Sequence, residues 1–240
     1  MMLKQNIDLW LAKLHQYVLK DGNEHVVEAI GVINKCLDEI NNDHNKIAIS
    51  FNGGKDCTVL LHLVYLVTLD KFERGNLNHG DLAPKLMTLL ILMPDTFPEL
   101  EDFIQSSVTR YNLDLKSVNG PNFKEALKNF KNETTVSHIF MGTRSTDLVK
   151  PISFFEPTDP GWPEFIRVNP LLNWSYHQIW SFLRDLEVPY CSLYDKGYTS
   201  IGTAKNTFVN PKLKDPSGNG YFPAYMLSDP QDERQGRSTY

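Results

Sequence analysis

The strongest constraint on this chain is the stretch Ser50-Phe51-Asn52-Gly53-Gly54-Lys55-Asp56-Cys57, which stands between a short apolar run and a long one. Lys46 to Phe51 reads as a buried strand and the segment beginning near Cys57 as a long apolar helix. The glycines therefore make a strand-to-helix loop. In such a loop, exposed backbone N–H groups and the positive end of the helix dipole attract phosphate, and glycines admit close approach. Lys55 adds a point charge, and Asp56 is suited to hold a Mg²⁺ ion on phosphate oxygens, directly or through water. A bare Gly-Gly pair would be an ordinary turn; the full stretch in this position points to nucleotide binding. It is not the Walker loop, which needs four residues between its first glycine and Gly-Lys.

The rest of the chain repeats the alternation. Trp10, Leu14 and Val18 mark a first amphipathic helix, and Val26, Ile30, Ile33, Leu37 and Ile40 a second. Leu86 to Met93, Leu113 to Val118 and Val136 to Met141 read as strands, with a helix through Phe123 to Phe130. Thr96-Phe97-Pro98-Glu99 and Ser175 to Gln178 carry capping-box patterns, the second opening a helix with Ile179, Leu183 and Leu186 on one face. This predicts an α/β fold with a Rossmann-like, mainly parallel sheet, helices on both faces and right-handed crossovers. A single domain over 1–240 is expected, with N-terminal helices at 1–45, the α/β core at 46–190 and an irregular C-terminal cap at 191–240. Leu193, Ile201, Phe208, Tyr221, Phe222 and Met226 are the expected anchors of that cap, and the segment from Gly75 to Gly80 is a surface excursion.

Composition excludes several classes. The 240 residues are 41% hydrophobic, enough for one core without disulfides or structural metal. Cys36, Cys57 and Cys191 are far apart and never paired as C-x-x-C, which fits a reducing compartment. No apolar run approaches the ~18 residues of a membrane span, and no secretory signal is visible. The first residues contain Asp8 and no arginine near it, which disfavours a mitochondrial presequence. A soluble cytoplasmic protein, monomeric and without membrane partners, is expected. The net charge of −5 gives no reason to expect nucleic acid as partner, and none of the seven histidines has metal-ligand spacing.

The loop resembles the pyrophosphate loop of adenine-nucleotide α-hydrolase-like enzymes, usually written S-G-G-K-D-S, with Asn52 and Cys57 in place of its serines. Asp95 to Glu99 and Leu193 to Gly202 are similar to the phosphoadenylyl-sulfate reductase branch. A sulfonucleotide reductase needs a C-terminal nucleophilic cysteine, and none follows Cys191. The eukaryotic FAD synthetase (FMN adenylyltransferase) subgroup shares Asn-Gly-Gly-Lys-Asp-Cys, Gly142-Thr143-Arg144 with Asp147, Thr158-Asp159 with Trp162-Pro163, Arg167 to Leu172 with Trp174, and Glu233-Arg234-Gln235-Gly236-Arg237. Five segments in one order, spanning about residues 46 to 237, carry the resemblance.

That resemblance implies transfer of AMP from ATP to FMN, giving FAD and pyrophosphate with Mg²⁺ as cofactor. It implies catalytic roles for Asn52, Asp56, Arg234 and Arg237, with Asp56 toward the metal. ATP contacts are implied for Ser50, Asn52, Gly53, Gly54, Lys55, Met93, Gly142 and Arg144, and flavin contacts for Asp147, Asp159, Pro160, Gly161, Trp162 and Arg167. Each residue also has a plainer reading. Asn52 suits a turn by its backbone preference, and Arg144 a structural ion pair. Asp147 suits a turn cap, Arg167 an ion pair with Glu164, and Arg234 and Arg237 a solvated tail. Tyr176, Trp174 and Trp180 read as core or capping residues. The rival enzyme is a transfer-RNA thiolation ATPase, which commonly uses paired cysteines and basic surfaces; a non-catalytic flavoprotein would need no ATP-cleaving loop.

Overall fold

The helical periodicity ahead of the first strand is realised as α1 (Met2–Val18) and α2 (Glu24–Glu39). The computed structural model describes residues 2–75, 85–119 and 122–238. Val26, Ala29, Ile33 and Leu37 form the buried stripe of α2, which packs on α3 (Lys55–Gly75). Leu60, Leu63, Val64 and Leu66 of α3 have no exposed surface, as the long apolar run requires.

Six strands form one sheet: β1 (Ile47–Ser50), β2 (Met87–Ile91), β3 (Asp114–Val118), β4 (His138–Phe140), β5 (Phe155–Pro157) and β6 (Ile166–Val168). Their order is β3-β2-β1-β4-β6-β5, and only the β5–β6 pair is antiparallel. The mainly parallel α/β sheet expected from the alternation is present. β5 and β6 are additions that the sequence reading did not anticipate, since three-residue strands show no measurable period. Pro157 is tolerated because β5 lies at the sheet edge.

Successive residues of β1 face opposite sides. Ile47, Ile49 and Phe51 join the large core with α1–α3, α4 (Pro98–Tyr111) and α6 (Tyr176–Asp185). Ala48 joins Leu89, Val118 and Ile139 in a second cluster under Ala126 and Phe130 of α5 (Phe123–Glu133). Helices thus cover both faces, as buried parallel strands demand. Because β1 lies between β2 and β4, the loops leaving β1 and β4 emerge side by side at the carboxyl edge. This is the switch point where open α/β sheets bind ligands.

Two local expectations need correction. The Thr96 capping box does not form: Pro98 takes the first helical position, Phe97 becomes the N-cap, and Thr96 Oγ1 donates to the Met93 carbonyl at 3.1 Å. The Ser175 box does form, with Gln178 N donating to Ser175 Oγ and Ser175 N to Gln178 Oε1. In the C-terminal cap, Phe208, Tyr221, Phe222 and Met226 are exposed, whereas Leu193, Tyr194, Leu213, Ala224 and Leu227 are the buried anchors. Short 3-10 turns carry no apolar period from which these could be chosen. Residues 76–80 of the expected surface excursion lie outside the described residues. Among the described residues no helix is long and apolar enough to cross a membrane.

Candidate active site

Ser50 ends β1, and Asn52, Gly53 and Gly54 form the loop that starts α3. Gly53 has φ of 76°, and a Cβ there would meet Leu100 Cδ1 at 2.6 Å, so the turn needs glycine on both conformational and steric grounds. The loop is braced from within. Gly54 N donates to Asn52 Oδ1 at 3.0 Å, Cys57 Sγ donates to the same oxygen at 3.0 Å, and Lys55 N donates to Tyr194 Oη at 2.8 Å.

Below the loop lies a closed ring of alternating charges. Lys55 Nζ contacts Asp56 Oδ2 at 3.0 Å and donates to Glu233 Oε1; Arg144 reaches Glu233 at 2.8 Å and Asp56 Oδ1 at 3.0 Å. Lys55 is 2% exposed and Arg144 1% exposed. Burial opposes their charge, but Asp56 and Glu233 outweigh it and raise both pKa values. Arg144 also donates to Asp147 at 3.2 Å. Asp147 in turn accepts from Arg144 N, so it caps the short turn after β4 while facing the same pocket.

The C-terminal tail is packed, not free. Thr199 Oγ1 donates to the Glu233 carbonyl at 2.7 Å, and buried Asn210 donates to the Asp232 carbonyl at 2.8 Å. Arg237 forms a bridge with Thr207 and lies 3.5 Å from Ser200 Oγ. Its pKa is drawn down by burial and by neighbouring Arg234, and no ion-pair partner of either arginine is found among the described residues.

Two cavities meet here, of about 670 Å³ and about 290 Å³. Asn52, Gly54, Ile201, Arg234 and Arg237 line both, and so mark their junction. The larger takes in Met93, Ile104, Ser117 and Phe123; the smaller takes in Ser50, Lys55, Asp56, Gly142 and Asp147. Of the residues expected at the phosphates, Ser50, Asn52, Gly54, Lys55, Asp56, Met93, Gly142, Arg234 and Arg237 line one cavity or both, whereas Gly53 and Arg144 line neither, and Arg144 is buried in the ion-pair ring, its plainer reading. Asp159, Pro160, Gly161 and Trp162 stand apart, in the exposed turn joining β5 to β6, and line neither cavity. Arg167 donates to the Pro157 carbonyl at 3.0 Å and approaches Asp159 at 3.8 Å, so its ion partner is Asp159 in place of Glu164. Trp174, Tyr176 and Trp180 are core residues, as expected. Glu233, Tyr194, Thr199 and Asn210 carry no site role in the sequence, because the partners that give them one lie 11 to 178 residues away along the chain.

Residues 46–209 match the family model described as phosphoadenosine phosphosulfate reductase domain. The chain is 40% identical over 197 residues to a probable FAD synthase of Schizosaccharomyces pombe, covering 80% of this chain and 72% of that protein. It is 36% identical over 240 residues to a probable FAD synthase of Caenorhabditis briggsae, covering 95% of this chain but only 44% of that longer relative. A crystal structure of Candida glabrata FMN adenylyltransferase in complex with FAD and inorganic pyrophosphate superposes with a TM-score of 0.88. It has 27% identity and covers 99% of this chain and 98% of that one. The chain belongs to the phosphoadenosine phosphosulfate reductase domain family and, within it, to the FAD synthases.

Proposed function

We propose that this chain transfers the adenylyl group of ATP to FMN, giving FAD and pyrophosphate. The observation that carries the proposal is the junction of the two cavities, where Asn52, Arg234 and Arg237 converge above the phosphate loop. Adenosine would enter the larger cavity past Met93, and the β and γ phosphates would lie over Gly53, Gly54 and Lys55. A phosphate oxygen of FMN then attacks the α-phosphorus in line. The bond from that phosphorus to the bridging oxygen breaks, and pyrophosphate leaves with the electron pair. FMN phosphate is already ionised near neutral pH, so the protein needs to align and neutralise, with no nucleophile or base of its own. Asn52 would orient an α-phosphate oxygen, Arg234 and Arg237 would balance its developing charge, Ser50 and Gly142 would frame the pocket floor, and the buried Arg144 would act from behind it through Asp56 and Glu233.

For Mg²⁺ the donor set fits a shared site. Among the described residues no cluster of three or more His, Cys, Asp or Glu could enclose a metal. Mg²⁺ is typically held by one or two carboxylates plus substrate phosphates and water. Asp56 meets that pattern as a carboxylate bordering the smaller cavity, and a metal ion there would share it with Lys55 and Arg144, each 3.0 Å from one of its oxygens. The ion would supply charge neutralisation to the phosphates.

For the flavin, the resemblance assigns Asp147, Asp159, Pro160, Gly161, Trp162 and Arg167. Trp162, 39% exposed, offers an aromatic face, and Asp159 an acceptor for a ring N–H. Cys36, Cys57 and Cys191 are free, which supports a reducing, cytoplasmic setting.

The test is incubation with ATP, FMN and Mg²⁺ followed by chromatography for FAD and pyrophosphate. Formation of both in equal amounts is expected, with none when riboflavin replaces FMN. Absence of FAD with all three present would reject the assignment.

A further inference from the structure

Glu233 is 178 residues from Lys55 in sequence, yet its carboxylate bridges Lys55 and Arg144, the two buried cations beneath the phosphate loop. It thereby closes the ring that also holds Asp56. Its own backbone carbonyl is held by Thr199, and the preceding one by Asn210. The side chain is 12% exposed, so this residue is an internal tie and its neighbour Arg234 is not. Arg234 follows directly, and Arg237 lies one short turn further on, with Arg237 N donating to the Arg234 carbonyl at 2.9 Å. The family model ends at residue 209, before any of these.

We propose that Glu233 is a positioning residue whose carboxylate latches the C-terminal tail onto Lys55 and Arg144, and so sets Arg234 and Arg237 at the junction of the cavities. The catalytic consequence rests on the adenylyltransferase reading; the latch itself does not. Charge matters here as well as shape. A glutamine of the same length would present an N–H₂ group to one of two cations that both need an acceptor, leaving a buried charge without its partner.

The first arm uses the full-length protein without nucleotides. Limited trypsin digestion, read by mass spectrometry, follows cleavage after Arg234 and Arg237. Glu233→Gln is expected to accelerate that cleavage by at least about tenfold, because the open tail becomes more populated. Unchanged protection would overturn the proposal, whatever the enzyme's activity. Glu233→Asp keeps the charge on a shorter stem and is expected to give intermediate protection. It also serves should the glutamine variant fail to fold, and wild-type protection in it would count against a latch of this reach.

The second arm is a kinetic cycle. Glu233→Gln should lower kcat/KM by about tenfold in the wild-type background but by less than about twofold when Arg234→Ala and Arg237→Ala are already present. Equal losses in both backgrounds would show Glu233 acting on substrate or metal directly and would refute the positioning role. Failure of the wild-type chain to form FAD would remove this second arm and leave the proteolysis result standing.

Discussion

The thiol of Cys57 donates to the side-chain carbonyl of Asn52 at 3.0 Å, so the two positions at which the loop departs from serine are each other's partners. Gly54 N donates to the same oxygen at 3.0 Å. With Oδ1 filled from the protein side, the Asn52 amide is left to present its N–H₂ group, a donor suited to a phosphate oxygen. Burial pushes the Cys57 pKa up to about 12, which keeps it a thiol and therefore a donor at neutral pH.

This arrangement predicts an ordering of variants. Cys57→Ser retains a donor at nearly the same place and should keep kcat close to wild type. Cys57→Ala removes it and should lower kcat by roughly two- to tenfold, the equivalent of about 0.5–1.5 kcal/mol for one hydrogen bond. Steady-state rates at saturating ATP and FMN decide it, and equal activity of the Ala and Ser variants would contradict the role.

A second prediction concerns acid stability. His62 is 2% exposed between α1 and α4, with Nδ1 3.0 Å from Tyr111 Oη. Burial, with Arg110 adding to it, lowers its pKa to about 3. The unfolded chain takes up this proton near pH 6.5 and the folded chain only near 3, so stability falls as pH drops through that window. The cost is about 1.4 kcal/mol per pH unit, or about 2 kcal/mol at pH 5. His62→Gln keeps a polar partner for Tyr111 without titrating, and its Tm should fall less than wild type between pH 7 and 5, by about 4–8 °C. Parallel Tm curves would exclude His62 as the source.

The sequence disclosed the parts of this molecule that depend on neighbours along the chain. The loop from Ser50 to Cys57 and the Ser175 cap are local, and the long apolar runs declare their strands and helices. What it concealed depends on distance. Asp232-Glu233-Arg234 looks like a solvated tail until folding places Glu233 between Lys55 and Arg144. The Thr96 capping box is a sound pattern overridden by Pro98, whose fixed φ moves the helix start by one residue. β6 pairs with the edge that β4 leaves and β5 pairs with β6 in turn, a tertiary fact with no sequence period.

The separation of the β5–β6 turn from the phosphate cavities gives a third prediction. Trp162→Ala should weaken FMN binding by about 1–3 kcal/mol if the flavin rests on the ring, while ATP affinity stays within about 0.5 kcal/mol. Titration of each ligand separately by calorimetry distinguishes the two. Equal losses for ATP and FMN would mean that the turn supports the fold in general.

The last prediction uses a glycine to move an arginine. A Cβ at Gly202 would lie 2.2 Å from Arg237 Nη2 and 2.5 Å from its Cζ, and all three of its nearest atoms belong to that guanidinium. All three are the far end of a flexible side chain. Gly202→Ala should therefore push the guanidinium aside while leaving the backbone in place, with stability within about 0.5 kcal/mol of wild type. If Arg237 neutralises charge at the cavity junction, kcat/KM should drop by at least about tenfold, equal to ~1.4 kcal/mol. Gly236 gives the contrast, because a Cβ there would meet the Phe208 carbonyl oxygen at 2.4 Å, a backbone atom that cannot swing away. Gly236→Ala should lose thermal stability; Gly202→Ala should lose activity alone. In an Arg237→Ala background the Gly202 substitution should have no further effect, since the group it displaces is gone. A Gly202→Ala enzyme with wild-type kcat/KM would mean that the position of the Arg237 guanidinium does not matter to the reaction.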